Sequence, residues 1–258
     1  MIRGSLSSVT VIAALSLSLG AASFVGAQPP AQPAMPPLTG QPLPLPRQQT
    51  WRFDNLSSLG GQPTKVLGTP QLIDTPMGKA VAFNGTDSAL FVGVHPLAGA
   101  TTWTWEMIFR PDADGHPEQR IFHLQSVDPA TGKDIPNERM LFEIRIRPDA
   151  DGKPEWCLDS FATAGGHSRA LLNCDKKYPF GPWYRVTAVY DGHIFRNYVG
   201  DELQGEGPLE IPAERPGRAS AGTRIDMRDY FKGAIYEARF TPRALTPDEF
   251  LKIPAAGK

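Results

Sequence analysis

The sequence predicts an all-β fold, an antiparallel β-sandwich of the jelly-roll type with one short C-terminal helix, and three observations carry that prediction. From Trp51 onward apolar residues recur with period two rather than 3.6, the spacing of strands that bury one face. The apolar runs are short and are separated by turn residues, among them Asn84-Gly85, Asp191-Gly192 and Gly200-Asp201. No helical repeat lies between the runs, so the strands must pair with one another rather than through crossover helices. With 258 residues, 41% hydrophobic and 21% charged, the chain is ordinary for a globular protein. Its formal charge of -1 gives no electrostatic basis for binding nucleic acid or an anionic membrane surface.

The elements follow in order. Arg3, the apolar stretch from Val9 to Leu19 and the small residues Val25-Gly26-Ala27 read as a signal peptide over residues 1–27, cleaved after Ala27. The apolar run is short for a span of about 20 residues and is broken by serines, so no transmembrane segment is expected after cleavage. No cysteine lies near the cleavage point to carry a lipid. Residues 28–50 contain eight prolines and form an extended linker without ladder hydrogen bonds. The folded domain is expected over residues 51–258.

Within it, strands are expected at KAVAF (79–83), ALFVGV (89–94), RIFHLQ (120–125), MLFEIRI (140–146), WYRVTAVY (183–190), IFRNYV (194–199) and GAIYEARF (233–240). TWTWEMIFR puts Trp103, Trp105, Met107 and Phe109 on one face, which reads as the core, and Glu106 on the other, which reads as solvent. Thr246, Pro247 and Glu249 make a capping-box start for a helix of a turn or two through Leu251.

The segment RPDADGHPE (110–118) returns as RPDADGKPE (147–155). An EF-hand loop would begin at Arg110 or Arg147, which cannot ligate a cation, and end at Ile121 or Leu158, where a carboxylate is required. Both copies read instead as hairpin tips: Pro111 and Pro148 preset φ, the aspartates cap turn amides, and Gly115 and Gly152 supply positive φ. The competing reading is an exposed calcium site on Asp112, Asp114, Asp149 and Asp151, completed by the loop at 126–134. No cofactor is otherwise required.

Cys157 and Cys174 flank TAGGHS, a hairpin pattern centred on Gly165-Gly166. Symmetry about those glycines sets the cysteines opposite each other at a non-hydrogen-bonded pair, where Cα atoms lie about 4.5 Å apart, within disulfide reach. An exported protein would keep that bond oxidised.

Four motifs in order resemble the laminin G-like, concanavalin A-like domains of bacterial secreted proteins. They are AVAFNGTDSALFV (80–92), TTWTWEMIFRP (101–111), PWYRVTAVYDGHIFRNYVGDEL (182–203) and FKGAIYEARFTPRALTPDEF (231–250). The resemblance implies a sandwich that binds glycans or proteins without fixing the ligand. Two of the family's acidic positions are Asn84 and Tyr236 here, although Asp87 survives.

Catalysis is not expected. Retaining glycosidases place two carboxylates about 5 to 5.5 Å apart; on one strand here Glu106 stands alone and Glu143 is followed by Arg145. YFKGAIYEA (230–238) resembles a strand of jelly-roll alginate lyases, but its final residue is Ala238 and the companion His and Arg strands are missing. Tyr230 then reads as a loop residue and Tyr236 as a packed strand residue. The five histidines form no triad pattern. Recognition is assigned instead to the hairpin loop carrying His167, Ser168 and Arg169, with Trp183 and Trp156 as candidate rim aromatics. The expected partner is a polysaccharide or an extracellular protein, met in the periplasm, at the cell surface or in the medium. A structural module without sugar binding and a polysaccharide-degrading lyase or hydrolase are the alternatives.

Overall fold

The structure, a computed structural model, describes residues 46–255. The expected signal peptide and nearly all of the proline-rich linker lie outside the described residues. The strands are β1 (Gln49–Arg52), β2 (Ser58–Leu59), β3 (Gln62–Leu67), β4 (Gln71–Thr75), β5 (Gly78–Asn84) and β6 (Ala89–Val92). They continue with β7 (Trp103–Pro111), β8 (Glu118–Val127), β9 (Asp134–Pro148), β10 (Pro154–Ala164), β11 (His167–Leu172) and β12 (Tyr178–Pro179). The last are β13 (Tyr184–Tyr190), β14 (Ile194–Val199), β15 (Glu202–Pro208), β16 (Gly217–Ala221) and β17 (Lys232–Thr241).

They form two antiparallel sheets. The first runs β15-β14-β13-β7-β17-β5-β4, with β1 beside β17. The second runs β11-β10-β9-β8-β16-β6-β3-β2, with β12 beside β10. The sheets pack through the alternating residues predicted for TWTWEMIFR. Trp103, Trp105, Met107 and Phe109 are all buried, and the Trp105 ring on β7 lies 4.2 Å from Phe142 on β9. Such aromatic contacts between sheets dominate the apolar area removed from water.

Several expectations change. The first strand takes in Gln49 and Thr50, which pair with Phe240 and Arg239, so the ladder starts two residues before Trp51. The C-terminal helix is a 3₁₀ turn, Pro247–Glu249, because Phe250 is already extended at ψ 151°. The Glu249 carboxylate does reach back to the Thr246 N–H at 3.0 Å. The first RPDADG copy is not a hairpin: β7 and β8 belong to different sheets, and residues 112–117 carry the chain across the sandwich. The second copy, between β9 and β10, is one. Accordingly Gly152 has φ 81° while Gly115 does not take a positive φ. Trp156 is fully buried against Phe109, Tyr178 and Tyr184 rather than at a rim.

Glu106 is fully buried, not solvent-exposed. The segment after β17 folds back over the centre of the outer face of the first sheet. There Glu106 pairs with Arg239 at 2.5 Å and accepts the Leu251 N–H at 2.6 Å. Leu245 and Phe250 pack on Val189, while Leu251 and Trp183 pack around Ile108 and Tyr236. The centre of the first sheet, over β7, β13 and β17, is thus covered on both faces. On the outer face of the second, Ile225 packs on Ala89 and Phe91, and the segments at 134–138 and 225 bury Gln125, Thr163 and His123.

Candidate functional site

The strand register sets the polar side chains of that outer face in rows, of which Thr163, Gln125, His123, Ser220, Glu143 and Asp159 are buried while Ser168 is exposed and Arg139 and Phe161 are half-buried. One row crosses Ser168, Thr163, Arg139, Gln125 and Arg218. The next crosses Phe161, Leu141, His123 and Ser220. A third pairs Asp159, Glu143 and Arg120, and Arg145 with Glu118 follow. Side chains alternate across a strand, so Phe142 and Leu158 point into the core while these point away from it.

The acidic end is a network of carboxylates clamped by two guanidiniums. Arg120 Nε lies 2.6 Å from Glu143 Oε1. Arg145 Nη2 lies 2.7 Å from Asp159 Oδ2 and 3.4 Å from Glu143 Oε2, and its Nη1 pairs with Glu118. Asp229 approaches Arg120 at 3.7 Å. Burial, then the Asp159 charge, raise the Glu143 carboxyl well above the usual carboxylate range, toward its neutral form.

The basic end is a cavity of about 290 Å³ between residues 134–137 and 224–226, floored by His123, Gln125 and Arg139. His123 is 1% exposed and its Nδ1 accepts the Ile225 N–H at 2.9 Å, which leaves the ring proton on Nε2. Burial, then the charges of Arg224, Arg139 and Arg218, hold His123 well below its usual pKa and therefore neutral. Arg139 lies 5.2 Å from the centroid of the half-buried Phe161 ring.

The predicted binding residues are only partly gathered here. Ser168 shares the row of Arg139, and His167 and Ser168 are exposed beside it at the sheet end. Arg169 turns to the edge of the other sheet, donating to Pro208 O at 3.0 Å. Trp183 sits on the outer face of the first sheet, 5.5 Å under the Arg110 guanidinium, and so cannot join them. The aspartates offered for calcium are engaged separately. Asp114 pairs with Lys232 at 2.5 Å, Asp112 lies 3.8 Å from Arg110, and Asp149 accepts the Asp151 and Lys153 amides. Among the described residues no three His, Cys, Asp or Glu side chains are placed to share a metal ion. The disulfide Cys157–Cys174 is present, with Cα atoms 5.1 Å apart, just beyond the last ladder pair Asp159–Leu172.

Sequence reasoning missed the Glu143–Asp159 pair because it sought two carboxylates on one strand. The signal was there: symmetry about Asp151 in the second RPDADG hairpin sets 143 opposite 159.

The profile of a family described as the concanavalin A-like lectin/glucanases superfamily (Laminin_G_3) matches residues 84–250. No curated protein matches the sequence. Among solved structures, domain 4 of the GH43 extracellular arabinanase AbnA from Geobacillus stearothermophilus, in complex with arabinotriose, is 20% identical with a TM-score of 0.53. It aligns over 79% of this chain and 96% of its own. The binding domain of botulinum neurotoxin serotype G is 10% identical with a TM-score of 0.53, over 78% of this chain. The binding domain of botulinum neurotoxin DC, in complex with SialylT, is 11% identical with the same TM-score, again over 78% of this chain. This chain spans about half of each neurotoxin domain, 49% and 48%. Among the described residues no helix is long and apolar enough to cross a membrane.

Proposed function

Because this chain belongs to the concanavalin A-like lectin/glucanase superfamily, we propose that it is an exported, non-catalytic recognition domain that binds a polysaccharide along the outer face of its second sheet. The observation that carries this reading is the asymmetry of the two outer faces. The first is covered over its central strands by the C-terminal segment. The second leaves the half-buried ring of Phe161 beside Arg139, with the exposed Ser168 in the row of Arg139, an apolar surface with a polar flank of the kind that sugar rings require. The arabinotriose-bound arabinanase domain supports a saccharide ligand for this fold. Export into an oxidising compartment agrees with the N-terminal sequence and with the disulfide.

The test is a panel of immobilised polysaccharides probed with residues 28–258, with calcium and with chelator. Binding to at least one glycan is expected, weakened about tenfold or more by Phe161→Ala. Loss of binding in chelator would make calcium part of the site, through Asp112, Asp114, Asp149 or Asp151. Silence across the panel would overturn the glycan reading and leave a protein partner.

One observation favours a second reading. Glu143, raised by burial and by the neighbouring Asp159 charge, makes with Asp159 a carboxyl pair of the kind glycosidases use. Arg120 and Arg145 hold Glu143 Oε1 and Asp159 Oδ2, and both carboxyls are buried, which keeps them from a substrate. Release of reducing ends in the same wells, abolished by Glu143→Gln, would establish the enzyme; the expected result is none.

A further inference from the structure

We infer that the cavity between residues 134–137 and 224–226 is an oxyanion subsite, so that the polysaccharide recognised on this face carries carboxylate or sulfate groups. This rests on the glycan reading of the face and goes further by naming the ligand chemistry.

Two buried donors of residues lining the cavity have no hydrogen-bond partner: His123 Nε2 and Arg139 Nε. A buried donor left unpaired costs about 1–3 kcal/mol, so two at one cavity single it out as a seat for an acceptor. Arg224 lines the same cavity and is ion-paired with Asp226, its Nε 3.3 Å from Oδ1. A single planar carboxylate or a sulfate has the oxygens to answer several such donors at once.

The charges agree. The cavity is lined by Arg139 and Arg224 and by Asp134 and Asp226. Arg218 binds Asp134 through Nε at 2.8 Å and Nη2 at 2.5 Å, and Asp226 is shared between Arg228 at 3.0 Å and Arg224 at 3.3 Å. Arg139 contacts only a neutral amide oxygen, Asn137 Oδ1 at 3.3 Å, and the Phe161 ring, and it forms no ion pair among the described residues. The Arg139 guanidinium, its charge unpaired, and the neutral imidazole donor of His123 therefore meet at one cavity. The placement beside Phe161 completes the argument. Arg139 lies over the Phe161 ring, so a sugar bound against the part of Phe161 left open would carry a substituent toward Arg139 and the cavity it lines. The acidic cluster of Glu118, Glu143 and Asp159 sits at the other end of the face, where Arg120 and Arg145 clamp it. An anionic chain is thus directed to the basic end.

The experiment uses residues 28–258 in two arms. In the first, sodium glucuronate, inorganic sulfate and glucose are titrated at constant ionic strength while thermal unfolding and the 1H-15N spectrum are followed. Glucuronate or sulfate is expected to raise Tm and shift the Arg224 and Ile225 amides, and glucose to do neither. Arg224→Gln and, separately, Arg139→Gln are expected to weaken the response about tenfold or more. Glucuronate alone would identify uronate residues as the natural anion, and sulfate alone sulfate esters. In the second arm, a polyuronate is compared with its carboxyl-reduced polymer. Binding of both polymers equally, lost in Phe161→Ala but unchanged in Arg224→Gln, would overturn the inference while leaving the glycan reading intact. No response to either small anion would overturn it directly, whatever the polymers do.

Discussion

Glu214 shows how a single residue sets a pH response. It lies buried with the Trp103 indole donating to its Oε1 at 3.0 Å and His95 Nε2 3.9 Å from its other oxygen. Burial pushes this carboxyl up to about 8 and the His95 imidazole down to about 3, so both favour their neutral forms at pH 7. A raised carboxyl contributes stability that is full below its unfolded pKa of 4.5 and declines as pH rises toward 8. The lowered His95 acts in the opposite sense, losing stability only as pH falls below 6.5. Between pH 6.5 and 8 the carboxyl effect therefore stands alone, reinforced by Glu143, which is raised by burial in the same way. Unfolding free energy should fall across that window, and Glu214→Gln, which keeps an acceptor for Trp103, should flatten the fall by up to about 1.4 kcal/mol per pH unit. Urea titrations at three pH values measure it, and an unchanged slope in the variant would refute the assignment. The Glu143–Asp159 pair makes the complementary point: hairpin symmetry made it readable, as strand alternation did for Arg145, whereas Arg120 comes from β8 and needed the fold.

At the scale of elements, the repeated RPDADG shows one local sequence placed in two tertiary settings. The hairpin copy follows turn chemistry: Gly152 takes φ 81° and a Cβ there would meet nothing within 4 Å. Gly152→Ala should cost about 1–2 kcal/mol, the ordinary penalty of a left-handed residue with a side chain. The copy that links the sheets needs its glycine for space instead. A Cβ on Gly115 would sit 2.4 Å from Gln119 Nε2. Gln119 is fully buried, donating to His116 O at 2.9 Å and accepting the Lys232 N–H at 2.8 Å, which ties β8 to β17. Gly115→Ala must break that tie and should cost more, about 2–4 kcal/mol, as two buried hydrogen bonds are lost. Urea unfolding of the two variants decides; equal costs would contradict the distinction. Within the nine residues the copies differ only at His116 and Lys153, neither of which dictates a turn; the difference lies in which strands follow.

For the whole molecule, the C-terminal segment decides which face is available. Residues 245–251 close the first sheet through Leu245, Phe250 and Leu251, with Arg185 Nη1 donating to Leu251 O at 2.5 Å. Deleting residues 245–258 should expose Val189, Ile108 and Tyr236, strand the buried Glu106, and lower stability by about 3 kcal/mol or more. A fall in Tm with new binding of an apolar dye is the expected signature, and an unchanged Tm would show that the segment is not a lid on this sheet.

The sequence by itself determined the sandwich, the order of most strands, the interior placement of Trp103 and Trp105, the Gly165-Gly166 hairpin and the Cys157–Cys174 bond. These follow from period-two alternation and from turn chemistry, which act between near neighbours along the chain or across one hairpin. Only the tertiary structure decided that Glu106 is buried, that Trp183 and His167 lie on different sheets, and that His123, Arg139 and Arg224 meet around one cavity. Those facts depend on which distant segments cover which face, and strand periodicity assigns a residue to a face without saying what lies over it.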